Sequence, residues 1–182
     1  TGYGCGNRRC GTDCRSQQAY HYKAVWDNTL MLGDGSLKAI VGYQQNRRKE
    51  FEDVLTPGQC GLDFMLHTIN YDVHYLTPEM GGWKTATGIN GMFQQSLNKG
   101  SEYLIPAYRL FDIGIFATTS RDFGRWSFNG GIRYDSRHIH GDPLTDDGTL
   151  RFTSFRRTFN GITGSAGAIY NITDRMNVRF NV

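Results

Sequence analysis

Between Trp83 and Phe93 the chain alternates. Trp83, Thr85, Thr87, Ile89, Gly91 and Phe93 share one face, while Lys84, Ala86, Gly88, Asn90 and Met92 share the other. A period of two is the signature of a β-strand, whose successive side chains point to opposite faces. One face carries aromatic residues at both ends, and the other is small or polar. A strand that meets hydrocarbon on one side and water on the other needs that arrangement. The ten residues from Trp83 to Phe93, at roughly 3.3 Å each and a tilt of about 40°, project to about 25 Å, the height of the apolar band of a transmembrane barrel.

The pattern recurs along the chain. Tyr20, Tyr22, Ala24, Trp26, Leu30 and Leu32 fall on one face, and Gly33-Asp34-Gly35-Ser36 makes a tight turn. Gly and Asp tolerate the positive φ that such a turn demands. Leu37, Ala39, Val41 and Tyr43 return. A polar connection is expected over 46–61. Met65, Ile69, Tyr71, Val73 and Tyr75 follow, with His67 interrupting the apolar face and pointing to a bulge. After a long loop over 96–107 come Phe111, Ile113, Ile115 and Ala117, and after a turn at 121–124 come Trp126, Phe128, Gly130, Ile132 and Tyr134. The longest loop is expected over 137–155. Ile162, Ala166, Ala168, Tyr170 and Ile172 then precede a turn at 173–175 and a last strand with Val178, Phe180 and Val182.

The reading is eight strands and no helix, in an antiparallel up-and-down meander over 19–182, with 1–18 an irregular Cys- and Gly-rich segment. Connections alternate short and long. Transmembrane barrels do this, with short periplasmic turns and long outer loops. Tyr75, Trp83, Trp126 and Tyr170 then gather near the short turns, where an aromatic girdle belongs. Cys5, Cys10, Cys14 and Cys60 all fall on the outward side. A soluble all-β sandwich or barrel also alternates, but its apolar face is rich in Val, Leu and Ile rather than in Tyr, Trp and Gly.

Composition narrows the classes. Of 182 residues 38% are hydrophobic and 13% aromatic, with 23 Gly and only 4 Pro. No window approaches a membrane helix, which does not bear on barrel strands, because alternation keeps their mean hydropathy low. A net charge of +3, with Arg47-Arg48-Lys49 as the densest basic run, is too small to argue for nucleic acid, and no nucleic-acid partner is expected. The opening Thr1-Gly2-Tyr3-Gly4, with no initiator Met and no signal peptide, reads as a cut inside something longer.

The C-terminal third carries a resemblance. Phe128-Asn129-Gly130-Gly131-Ile132-Arg133-Tyr134-Asp135 resembles a "GxRYD" strand that recurs in TonB-dependent outer-membrane receptors. Phe159-Asn160-Gly161, with Gly164 through Asp174, resembles the family's next strand and turn, and Asn177 to Val182 the strand after it. Tyr43 to Asp53 is similar to a family strand running into its loop. The resemblance covers about residues 18–182. It implies a segment of about eight strands from a barrel of 22, in the outer membrane of a Gram-negative bacterium. Such a receptor holds a plug domain and binds a ferric siderophore, haem, cobalamin or a glycan. The TonB complex, acting through a plug region not found in this sequence, drives import. Outer-membrane lipid and a small-molecule or glycan ligand are the implied partners, with no cofactor and no catalysis. Two alternatives stay open: a small outer-membrane barrel or pore that closes on itself, and a soluble β-rich binding domain.

Candidate sites are few. Arg156 and Arg157, with no acid adjacent in sequence, are candidates for binding an anionic ligand. Arg47, Arg48 and Lys49 are others, although Glu50, Glu52 and Asp53 follow at once and offer local pairing. His138, His140 and Asp142 place imidazoles and a carboxylate in one loop, a weak metal set that reads more plainly as solvated surface. Cys5, Cys10, Cys14 and Cys60 are disulfide candidates with three possible pairings. No Gly-x-Ser-x-Gly, His-Glu-x-x-His or phosphate loop occurs, so an enzyme is not expected.

Overall fold

The computed structural model describes residues 16–51 and 60–182. Among these described residues ten strands form: β1 (Ser16–Leu32), β2 (Gly35–Phe51), β3 (Leu62–Leu76), β4 (Trp83–Asn98), β5 (Tyr108–Phe123), β6 (Trp126–Gly141), β7 (Leu144–Asp146), β8 (Thr149–Phe152), β9 (Phe155–Thr173) and β10 (Met176–Asn181). Eight of them make one antiparallel meander in the order β1-β2-β3-β4-β5-β6-β9-β10, and β7 and β8 form a separate hairpin. β1 and β10 do not pair with each other, so the sheet is an open segment of barrel wall. No cysteine but Cys60 lies among the described residues.

Register turns the alternation of single strands into continuous faces. Tyr43, Ile69, Phe93, Phe111 and His138 stand directly across from one another on five successive strands. Four residues closer to the short turns, Val73, Ile89, Ile115, Tyr134 and Ile162 do the same. A slip of one residue at any strand would turn its apolar set to the other side, so the unbroken rows mean that every strand agrees on which face is apolar. The opposite face has rows such as Asp72, Asn90, Gly114 and Asp135.

The apolar face packs against no other part of the chain among the described residues. Trp26 is 56% exposed, Ile89 41% and Ile132 61%, and Ile113 is half-buried. Leu62 and Leu110 are the only buried apolar residues among those described. A sandwich of this size would bury a dozen or more large side chains between two sheets. Here one eight-stranded sheet leaves its apolar side open.

Short turns are built as the sequence requires. Gly33, Gly81, Gly82 and Gly124 take φ between 58° and 82°, the left-handed region that side chains avoid. The outer halves of the strands run further than the hydropathy pattern indicates. β2 continues to Phe51, β6 to Gly141, and β9 begins at Phe155. Arg47, Arg48, Lys49, His138 and His140 are therefore strand residues, not loop residues. Beyond the apolar band the residues no longer alternate between apolar and polar, while main-chain pairing carries on. Pairing likewise extends back to Ser16 in β1. No bulge forms at His67, where the β2–β3 and β3–β4 registers are continuous. A register shift falls instead between Met176 and Asn177.

Candidate functional site

The polar face is a surface of paired charges. Asp112 on β5 takes a bidentate pair from Arg137 on β6, at 2.8 and 2.7 Å. One step nearer the short turns, Arg133 on β6 binds Asp135 at 2.7–2.8 Å through Nε and reaches Asn90 Oδ1 on β4 at 2.7 Å. Asn90 donates in turn to Asp72 at 3.3 Å, and Asp72 is 2.5 Å from the His74 ring. Arg133 crosses β5 to reach β4, and Gly114 makes that possible. A Cβ there would stand 2.6 Å from both the Arg133 Cζ and an Asp135 oxygen. Further out, Gln94 links Tyr108 at 2.9 Å to Thr68 at 3.2 Å. Across β1 and β2, Lys38 lies 3.5 Å from Asp27.

The apolar face uses a glycine in the corresponding way. Tyr71 on β3 lies over Gly91 on β4, stacks on Phe111 at 6.5 Å between centroids and donates its hydroxyl to the Asp112 carbonyl at 2.8 Å. A Cβ on Gly91 would meet the Asp112 carbonyl and the Tyr71 hydroxyl. Closer to the short turns, Trp126 packs with Phe128 at 5.7 Å and Tyr170 at 4.7 Å, and the Arg121 guanidinium sits 5.4 Å over Trp83.

At the outer end, Arg47 grips the buried Asp63 with two bonds of 2.9 and 2.6 Å. The Arg47 guanidinium holds the Asp63 carboxyl below the usual carboxylate range, against the opposing effect of burial, with Lys49 and Lys99 adding to it. Arg48 pairs with Glu50. The basic run is thus largely neutralised, and its three residues do not share a face: Arg47 and Lys49 lie on one and Arg48 on the other.

Arg156 and Arg157 separate in the same manner. Arg156 stands across from His140, and Arg157 across from Ile139 on the polar face. Both are exposed and neither has a carboxylate partner among the described residues. His138 lies 2.9 Å from Thr158 Oγ1 and 3.2 Å from Ser136 Oγ, while His140 lies 3.4 Å from Asp142. His138 does not join the His140–Asp142 pair, and among the described residues no group of three His, Cys, Asp or Glu is placed to hold a metal. Cys60 has no disulfide partner among the described residues, and its thiol donates to the Leu62 carbonyl at 3.2 Å. Cys5, Cys10 and Cys14, and with them any pairing to Cys60, lie outside the described residues.

The Asp72–Asn90–Arg133–Asp135 network is the part that residue types alone did not single out. Its members all sit on the polar face of their strands, so the faces were legible. Which strand abuts which, and at what register, is what joins them.

This two-faced antiparallel wall, apolar on one side and ion-paired on the other, is the wall of a membrane-type β-barrel. A family model described as TonB dependent receptor-like, beta-barrel, matches residues 9–182. The chain belongs to the TonB-dependent receptor family and forms part of its barrel. Among solved structures it is similar to the ferric yersiniabactin uptake receptor FyuA from Yersinia pestis, with a TM-score of 0.62 and 11% sequence identity. The match covers 91% of this chain and 28% of that one, so the chain spans little more than a quarter of the solved receptor. At that identity the likeness is one of fold. No curated protein sequence matches the chain.

Proposed function

We propose that this chain is part of the barrel wall of an outer-membrane receptor that imports a scarce nutrient, a ferric siderophore, haem, cobalamin or a glycan, with energy supplied by TonB. The observation that carries the reading is the segregation of faces. Exposed Trp26, Ile89, Ile115, Ile132 and Ile162 continue from strand to strand on one side. Paired ions and amides fill the other. The apolar side meets lipid, where its exposure costs nothing. The polar side lines the interior, where its groups satisfy one another and meet water or a plug domain. Strand length agrees: the 15–19 residues of β2 to β6 and β9 exceed the roughly 9–11 needed to cross a bilayer, so the outer ends project beyond it.

The family membership supports transport rather than catalysis, and the polar face offers hydrogen-bonding groups rather than an activated nucleophile. The test is uptake by cells that depend on the full-length protein, with each nutrient class offered in labelled form. Accumulation of one class that stops when TonB is deleted or the proton-motive force is collapsed is the expected result. Accumulation that continues unchanged without TonB would overturn the energised-receptor reading and leave a passive pore.

A further inference from the structure

Toward the long-loop ends of the strands the polar face loses its charges. Gln44, Thr68, Gln94, Leu110 and Ile139 stand directly across from one another on β2 to β6. Two residues further out, the row that holds Asn46, Ser96 and Tyr108 runs on through Gly141 to Phe155 on β9. Neither stretch contains an acid or a base. The charges above and below are matched, since Arg48 pairs with Glu50 and Arg137 with Asp112. Lys23, across from Gln44, and Arg157, across from Ile139, have no carboxylate partner among the described residues. They stand at the two ends of the inner row, on β1 and β9, roughly 29 Å apart along the sheet.

Two aromatic rings and one fixed amide occupy this uncharged stretch. A Cβ on Gly141 would stand 2.6 Å from a Phe155 ring carbon, so the glycine lets the ring lie over β6 toward Tyr108. Phe155 stays 37% exposed. The Tyr108 hydroxyl donates to Gln94 Oε1 at 2.9 Å, and Gln94 Nε2 donates to the buried Thr68 hydroxyl at 3.2 Å. One Nε2 hydrogen and the Tyr108 oxygen lone pairs remain to meet a ligand. Tyr108 lies fifteen residues from Phe123 along β5. At roughly 3.3 Å each and a tilt of about 40° that is about 38 Å, well beyond the apolar band of about 25 Å. The stretch is therefore reached from the outer medium.

We propose that Tyr108, Phe155 and Gln94 form a binding site for a neutral oligosaccharide on the inner side of the wall. The rings pack against the C–H face of a sugar, and Gln94, held in place by Tyr108 and Thr68, hydrogen-bonds its hydroxyls. Haem propionates or siderophore catecholates would find no unpaired cation between Gln44 and Phe155 to complement them. The inference rests on the receptor reading and narrows its four nutrient classes to one.

The test presents the full-length protein, folded in detergent, to an array of neutral hexose and pentose oligosaccharides, and measures the tightest binder by calorimetry. Gln94→Ala and the Tyr108→Ala/Phe155→Ala double variant are each expected to bind about tenfold more weakly. Tyr108→Phe, which keeps the ring and frees Gln94, should lose several-fold. Arg157→Gln is expected to bind as the parent does. Heat-shifted gel mobility shows which variants are folded, and Tyr108→Phe carries the test where the double variant is not. An array without a binder, unchanged binding in both Gln94→Ala and Tyr108→Phe, or a loss confined to Arg157→Gln would each overturn the site. TonB-driven uptake of a ferric siderophore, haem or cobalamin, with no oligosaccharide bound, overturns the sugar assignment alone. Uptake that continues without TonB overturns the receptor reading beneath it.

Discussion

Adding one methyl group at each of two glycines, on opposite faces of neighbouring strands, distinguishes a wall held by its backbone from one lined by movable side chains. At Gly114 the new Cβ of an alanine meets the Arg133 guanidinium and an Asp135 oxygen, both at the ends of flexible side chains. Arg133 can swing aside, giving up its 2.7 Å bond to Asn90 and weakening its pair with Asp135. Both partners are about a third or more exposed, so water replaces much of what is lost and the cost is about 1 kcal/mol. At Gly91 the Cβ meets the Asp112 carbonyl, which is backbone, and the Tyr71 hydroxyl. The carbonyl moves only if β4 and β5 shift against each other, an overpacking cost of about 1–3 kcal/mol. Displacing Tyr71 also forfeits its hydroxyl bond to that carbonyl, about 1 kcal/mol more. Gly91→Ala should therefore be destabilised by about 3 kcal/mol and Gly114→Ala by about 1. The assay is urea unfolding of the full-length protein from lipid vesicles, followed by tryptophan fluorescence and gel mobility. Equal destabilisation, or a larger loss at Gly114, would refute the assignment of which glycine is pinned by main chain.

Two further outcomes follow from the same structure. Ile132 sits near mid-height of the apolar face and Ser165 on the polar face of the neighbouring strand. Ile132→Lys should cost about 2–4 kcal/mol in vesicles, whereas Ser165→Lys stays within about 0.5, and equal costs in the same unfolding assay would contradict the assignment of faces. The Asp63 carboxyl, lowered by Arg47, contributes stability that is fully present above its unfolded value of about 3.9 and is lost as pH falls through its lower folded value. Amide exchange at the outer ends of β2 and β3 should accelerate below about pH 4 in the parent and lose that dependence in Asp63→Asn; a dependence that persists in the variant would assign it elsewhere.

What was legible in the sequence was whatever depends on period two and turn chemistry. The eight strands of the meander, the short turns at Gly33 and Gly124, and the side of the sheet on which Trp83, Trp126 and Tyr170 stand all follow from alternation and from glycine's access to positive φ. The outer strand ends did not, because the residues around Arg47, Arg48, His138 and His140 keep no regular apolar–polar alternation. There the ladder is held by main-chain hydrogen bonds that leave no mark on side-chain type. The pairing of charges was hidden for another reason. Asp63 finds Arg47 from 16 positions away, and Arg133 finds Asn90 from 43, distances set by strand order and register. Conversely, Arg156 and Arg157 are adjacent in sequence and share nothing in space, because neighbouring strand residues point apart.

The account stands on the claim that one face of this sheet meets hydrocarbon and the other does not. The most direct measurement is a nitroxide scan from Ser127 to Arg137 along β6 in the full-length protein, reconstituted in bilayers and probed with oxygen and with a water-soluble nickel chelate. Oxygen access should peak at Phe128, Gly130, Ile132 and Tyr134 and fall at Asn129, Gly131, Arg133 and Asp135, with a period of two. A profile without that period, or one with its oxygen maxima at Arg133 and Asp135, would contradict it.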